Sequence, residues 1–376
     1  MRVLVISGIW PPDVGGPASH APEVAAFLRG HGHSVEVVTT ADRMPPPAAY
    51  PVRWVDRATP IGVRHLRTAA LIARRAAQAD VVYTTGMFGR SAAGSLLADT
   101  AYVVKLTADP AYERSRRRGF FCGSLEEFQS GGGGHRSWVL RRARDAELRR
   151  AAHVFCPSGY LRGMAIDWGL SPERVSVLPN PVPALPPLAD QAELRRQLGL
   201  NGATLAFAGR LTRQKALDVA LEALVRTDGV SLVLAGDGDQ QAALERRAVE
   251  LGLQPRVRFL GALPRERVLE LLRAADGLLL SSAWENFPHT VVEALAVGTP
   301  VLATTAGGVG EVVEDGRNGL LVPPGDPEAL AAAVRRFFAD SELRERLRGQ
   351  AAASVADYAP EHVYARLEEV LTAVAR

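Results

Sequence analysis

The stretch SSAWENFPHTVVEALAVGTPVLATTAGG, residues 281–308, holds two glutamates, Glu285 and Glu293, among residues that otherwise suit a buried core. A carboxylate taken out of water is costly unless something pairs with it. Each must therefore face solvent or a ligand. Pro288 fits the first position of a helix, and the apolar spacing over 290–297 predicts that helix. Glu285 then lies in the loop after a buried strand, and Glu293 about a turn and a half along the helix. Backbone N–H groups near 287–289 are left free at the helix start and favour an anion. Together these groups suit a nucleotide sugar, with amides for the diphosphate, Glu293 for a ribose diol and Glu285 for sugar hydroxyls. The plainer reading is a surface acid and a helix-dipole acid. The apolar surroundings favour the ligand.

The elements that must hold these groups follow a regular order. Short runs rich in β-branched residues occur at 2–7, 34–40, 79–85, 101–107, 153–158 and 174–180, with helical patterns such as 23–31 and 66–77 between them. The same alternation restarts with strands at 203–210, 230–238, 256–263, 276–282 and 300–305 and helices from 216, from 240, at 265–274 and at 290–297. Continuous apolar strands alternating with helices imply parallel sheets covered on both faces. Proline-rich NPVPALPPLAD, 180–190, continues neither helix nor central strand. The expected organisation is an N-terminal Rossmann-like domain over 1–180, a linker over 181–190 and a second Rossmann-like domain over 191–359. An amphipathic C-terminal helix at about 360–376 is expected to pack back on the first domain. Ligands of open α/β sheets bind outside the carboxyl ends of the strands, which here predicts a cleft between two such halves.

A chain of 376 residues is about right for two domains, and 47% hydrophobic with 23% charged residues describes a globular protein. The net charge of +3 makes no case for nucleic acid, and no such partner is expected. Basic residues concentrate at 114–118 (RSRRR) and 141–150 (RRARDAELRR). Each reads as a solvated helix face, with a surface for anionic lipid as the minority reading and a peripheral contact at the inner membrane face as its consequence. Two cysteines without CxxC spacing and a short apolar N-terminus that breaks at Pro11 fit a reducing, cytoplasmic setting. Asp237 and Asp239 in GDGD form an Asp-x-Asp, but in a strand–helix turn they make an improbable metal site. Gln241 weakens a dinucleotide-binding glycine pattern at the same place.

Glu-x7-Glu followed by Ala-Leu-Ala-x-Gly-x-Pro-Val resembles the donor site of glycosyltransferase family 4, retaining enzymes of the GT-B fold. GRLTRQKALD (209–218), LAGDGD (234–239), the block 308–331 and the Gly-Gly turn at 15–16 resemble other motifs of that family in the same order, across essentially the whole chain. The resemblance implies transfer of a sugar from a nucleoside diphosphate, of UDP or GDP type, to a hydroxyl on a sugar, lipid-linked or small-molecule acceptor. No metal and no cofactor is implied. Arg210 and Lys215 would hold the diphosphate and offset leaving-group charge. Glu285 would hold the donor sugar. Gly15 and Gly16 would let backbone approach the phosphate. Further donor contacts are implied at Gly209, Gly236, Asn286, Phe287, Pro288, His289, Thr290 and Glu293, with the base near Leu260.

The family often has a histidine after the fourth N-terminal strand, whereas this sequence has VVKLTADPAYERSRR, 103–117, with Asp109 at the corresponding place. Asp109 would hydrogen-bond the donor sugar or the incoming hydroxyl; the plainer reading is a loop cap before Pro110. Lys105, Glu113 and His20 are acceptor-side candidates. FQSGGGGHRSW, 128–138, reads as a flexible stretch. A nucleotide-sugar 2-epimerase shares the two-half architecture but needs acid–base residues that the sequence does not offer. A non-catalytic two-lobe sugar-binding protein would leave Arg210 and Lys215 without a purpose.

Overall fold

Short runs of Val, Leu and Ile become parallel strands in both halves of the chain. In the computed structural model, which describes residues 1–13, 16–182 and 185–376, these strands belong to two units. One unit comprises Met1–Pro179 with Val363–Arg376, and the other Asn180–His362.

In the first unit the strands are β1 (Arg2–Ser7), β2 (Ser34–Ala41), β3 (Val52–Asp56), β4 (Val81–Thr84), β5 (Tyr102–Lys105), β6 (His153–Cys156) and β7 (Val175–Val177), in the order β3-β2-β1-β4-β5-β6-β7. Every pairing is parallel, with Val3 opposite both Val35 and Val81. β4 and β5 are buried at every position, as expected where helices cover both faces. β3 escapes the sequence reading because VRWVD is half-exposed at the sheet edge and lacks a continuous apolar run. Helix Pro360–Val374 closes this unit, burying Val363, Tyr364, Leu367 and Leu371 against the face that also holds Val5, Val37 and Tyr83.

The second unit repeats the plan with β8 (Ala203–Ala208), β9 (Val230–Ala235), β10 (Val257–Phe259), β11 (Gly277–Leu280), β12 (Val301–Thr304) and β13 (Gly319–Val322), ordered β10-β9-β8-β11-β12-β13. The order reverses at β8, beside which β11 returns with Ala206 opposite Leu278. Loops leaving the carboxyl ends of these two strands must diverge, which opens a crevice at that point. Residues 180–182 and 185–190 contain no helix or strand, and Val182 donates its N–H to the Tyr358 carbonyl at 2.7 Å within the second unit.

The four consecutive glycines do not form a loose loop. Gly133 caps helix Gly134–Arg149, and Arg141 donates to the carbonyls of Gly131 (3.2 Å) and Gly132 (2.8 Å). A Cβ on Gly132 would come within 2.8 Å of the Glu127 carbonyl oxygen. Gly132 and Gly133 serve close packing, and Gly131 and Gly134 serve positive φ values of 104° and 62°. The helix face of 141–150 is likewise not wholly solvated, since Arg144 is buried.

Candidate active site

The loops that leave β8 and β11 carry the principal charged groups. Lys215 ends a short 3-10 turn, Arg213–Lys215, and its Nζ lies 2.5 Å from Glu285 Oε1. Glu285 is 4% exposed and accepts a second hydrogen bond from Ser282 Oγ at 2.6 Å. The carboxylate that raised the question of a partner is therefore paired with a cation and a hydroxyl. The two loops are also sewn together through their backbones. Ala283 N–H donates to the Gln214 carbonyl at 2.9 Å, and Ser281 Oγ to the Lys215 carbonyl at 2.9 Å. Arg210 lies on the same loop, is exposed, and has no side-chain partner among the described residues.

Glycines make this approach of loops feasible. Gly236 has φ +139°, and a Cβ there would sit 1.9 Å from the Gly209 carbonyl oxygen. Gly209 N–H donates to Ala235, Gly236 N–H to Gly261, and Leu260 N–H to Leu234, so the ends of β8, β9 and β10 form one bonded ledge. Gly307 does the same for Glu285, whose carbonyl oxygen a Cβ would meet at 2.0 Å, while Gly308 N–H donates to that oxygen at 2.9 Å. The second of these supports went unnoticed in the sequence, although the run AGG after β12 offered the signal.

Helix His289–Ala296 starts one residue earlier than the expected 290, with Pro288 at its N-cap rather than its first helical position. Thr290 Oγ1 donates to the Ala208 carbonyl at 3.0 Å, fixing the helix to the end of β8. Phe287 is buried, and His289 contacts the Asn180 side chain at 3.0 Å. Asn286 Oδ1 is buried without a hydrogen-bond partner among the described residues. Glu293 sits along the helix, half-buried, with Oε1 3.2 Å from Arg265 Nη2. Burial holds its carboxyl above the usual range, and Arg265 acts in the opposite sense. Arg265 opens its own helix and carried no motif that would single it out.

In the first unit Gly15 lies outside the described residues, and Gly16 opens helix Gly16–Gly30. The loop before it is latched by Arg57, which binds the Asp13 carboxylate and donates to the carbonyls of Thr40 (2.8 Å) and Gly8 (3.3 Å). The hydrogen bond from Arg57 holds the Asp13 carboxyl below its usual range. This latch was not legible, since nothing about Arg57 in the sequence separates it from a surface cation.

Asp109 and the acceptor-side candidates Lys105, His20 and Glu113 lie in the first unit, and the first two are buried. Asp109 is 2% exposed and caps helix Pro110–Arg117, accepting from Ala111 N–H (2.8 Å) and Tyr112 N–H (3.3 Å). Its other oxygen accepts from Gln129 Nε2 at 2.8 Å and from Arg144 Nη1 at 2.7 Å. Four acceptances consume the lone pairs of a carboxylate, so the geometry favours the cap over a substrate contact. Lys105 is fully buried, with Nζ donating to the Leu178 carbonyl, and burial pulls its ammonium down to about 7. A side chain so enclosed cannot reach an acceptor. His20 bonds the buried Tyr83 hydroxyl at 2.7 Å and packs beside Tyr364. Glu113 is exposed in the first turn of its helix.

Residues 14–184 fit the family model described as Glycosyltransferase Family 4, and residues 190–354 that of Glycosyl transferases group 1. The lipopolysaccharide core biosynthesis glycosyltransferase LpsE of Rhizobium meliloti is 39% identical over 37% of this chain and 40% of its own length. An uncharacterized glycosyltransferase of Methanocaldococcus jannaschii, MJ1607, is 26% identical over 92% of this chain and 91% of its own. Among solved structures, Anabaena Alr3699/HepE in complex with UDP is similar with a TM-score of 0.81 at 24% identity, over 99% of this chain and 100% of that one. That likeness shows the fold, two Rossmann-like domains of the GT-B kind.

Proposed function

A chain made of a glycosyltransferase family 4 domain and a group 1 domain is a glycosyltransferase of the GT-B type, and we propose that it moves a hexosyl group from a nucleoside diphosphate sugar to a hydroxyl acceptor with retention of configuration. The observation that carries this reading is the Lys215–Glu285 pair at the reversal point of the second sheet, with the uncommitted Arg210 on the same loop. A donor diphosphate brings two negative charges, and more charge develops on it as the glycosidic bond breaks. Lys215 and Arg210 offset that charge without a metal. Glu285, already oriented by Lys215 and Ser282, is placed to accept from donor hydroxyls, and Glu293 from the ribose. Asn286 Oδ1 is an acceptor that the free protein leaves unused.

Neither glutamate is assigned as a nucleophile. In the proposed front-face course, the bond from the anomeric carbon to the phosphate oxygen breaks. The acceptor oxygen bonds to that carbon on the same face, and its proton passes to the departing phosphate. UDP is the favoured nucleotide, with support from the UDP complex of HepE, and a surface-glycan or glycolipid acceptor has support from LpsE.

The test is a thermal-shift panel with UDP, GDP, ADP, dTDP and NAD, followed by the corresponding sugars. A ligand selective for the folded state raises the midpoint by mass action, equivalent to ~2.7 kcal/mol at a hundredfold excess over Kd. A shift with one nucleoside diphosphate is expected. A shift with NAD alone, or with none, overturns the donor site. Incubation of the active donor without acceptor then separates transfer from 2-epimerisation, which would yield an epimer.

A further inference from the structure

We infer a second ligand site in the first unit, a cavity that takes a small phosphorylated molecule of the sugar phosphate class. Its volume is about 510 Å³, within the range of small-molecule sites. Three residues of its wall stand immediately before strands: Ala101 before β5, Ala152 before β6 and Arg174 before β7. The cavity therefore lies at the amino ends of these strands. Substrates of open α/β sheets bind at the carboxyl ends, so this is not where the acceptor of the proposed transfer is expected. It shares no residue with the Lys215–Glu285 site, and the two stand or fall separately.

Three side-chain hydroxyls line the cavity, and two of them are spent. Thr100 Oγ1 donates to the Ala76 carbonyl at 2.8 Å, and the Tyr102 hydroxyl donates to the Glu147 carbonyl. Ser95 differs. It is 1% exposed on helix Phe88–Leu97, and its Oγ has no hydrogen-bond partner among the described residues. A helical serine can turn its hydroxyl back to the carbonyl four residues earlier, here that of Ser91. Ser95 forgoes that bond, which is costly for a buried hydroxyl unless a ligand oxygen supplies the missing partner. The cations beside it are also uncommitted. Arg150 caps the end of helix Gly134–Arg149, and Arg174 ends a 3-10 turn. Neither has an acidic partner within ion-pair distance among the described residues. The one carboxylate in the wall, Asp99, is paired with Arg376 at 3.4 Å. Two guanidiniums without carboxylates match a phosphate group, which each can grip with parallel N–H donors. The cavity has more room than a bare phosphate fills. Ala92, Ala101, Ala151 and Ala152 give the remainder a short-chained apolar wall, suited to the C–H face of a sugar ring.

The test is calorimetric titration of the full chain with glucose 6-phosphate, inorganic phosphate and glucose. Glucose 6-phosphate is expected to bind most tightly, inorganic phosphate more weakly and glucose least. Lys215→Ala should leave that binding in place, which separates it from the proposed donor site. Replacing Arg150 and Arg174 together by glutamine should weaken it by about a hundredfold, the scale of two charged hydrogen-bonding groups. Both side chains are exposed, so that variant should keep its fold and its response to UDP. Ser95→Ala should weaken binding by about tenfold. Its ligand-free thermal midpoint should stay level or rise, because no hydrogen bond within the described residues is lost. Absence of glucose 6-phosphate binding overturns the inference, as does binding that the double variant leaves intact. Inorganic phosphate binding as tightly as glucose 6-phosphate marks a plain anion site and overturns the assignment to a sugar phosphate.

Discussion

Lys215 and Glu285 illustrate how one pair can serve both structure and chemistry. Lys215→Ala is expected to lower kcat by about a hundredfold or more, the scale of losing one charge-stabilising group. It also leaves the buried Glu285 with Ser282 alone, so the midpoint should fall by a few degrees. Steady-state kinetics beside a melting curve check both, and near-normal turnover would sink the charge argument. Asp109 is expected to behave differently. Its pairing with Arg144 is buried on both sides, 3% and 0% exposed, and breaking a buried pair costs about 3 kcal/mol. Asp109→Asn should therefore lower the midpoint strongly while the remaining folded fraction keeps its nucleotide shift. A stable variant that binds donor but transfers slowly would return Asp109 to the acceptor. Lys105 adds a pH signature. The unfolded chain holds that proton up to the ordinary lysine value of 10.5, and the folded chain only to about 7. Between those values the unfolded state binds more protons, so stability rises with pH there, by up to ~1.4 kcal/mol per unit. Below about 7 both states are protonated and the cost of the buried charge is fully present. Lys105→Met should flatten the profile measured by denaturant titration. The glutamate spacing was legible because helix period and proline chemistry are local. The fate of Asp109 was not, because its partners Gln129 and Arg144 lie 20 and 35 residues on.

The same contrast holds for whole elements. Continuous apolar runs exposed most strands to reading, since a strand covered on both faces has no polar alternation to hide it. β13, only GLLV, was passed over because four residues after a turn carry little periodicity. The tetraglycine shows a related ambiguity. Glycine marks both loose chain and tight approach, and only the neighbours decide. Arg141 and the Glu127 carbonyl decide for tight approach at Gly132. Gly236 gives this distinction a functional test. Its Cβ would fall 1.9 Å from the Gly209 carbonyl oxygen, a contact with backbone that cannot swing aside. Gly236→Ala should displace the turn that carries Arg210 and abolish the nucleotide thermal shift. The fold should persist by circular dichroism, because the sheet core beneath is untouched. A full nucleotide shift in that variant would show that the ledge at the ends of β8 and β9 is not where the diphosphate sits.

Across the whole chain, each unit has a core of its own, and the first is assembled from segments far apart in sequence. The chain leaves it after Pro179 and re-enters it at Val363. The returning helix supplies Val363, Tyr364, Leu367 and Leu371, all at most 3% exposed. Tyr364 donates to Glu23 at 2.7 Å, and Glu368 meets His31 and His33 at 2.7 and 2.6 Å. An amphipathic pattern in the last residues predicted a helix, but its docking partner could be named only by analogy, because the contacts span more than 330 residues. Separate cores make separate responses to ligand and mutation the expected behaviour. Leu367→Asp places an unpaired carboxylate in the first unit's core and should destabilise that unit by about 3 kcal/mol or more. Calorimetry should then show one transition moved down while another still rises with UDP, the ligand assigned to the second unit. If the substitution moves every transition equally, or removes the response to UDP, the nucleotide site depends on the first core and the assignment to the second unit alone fails.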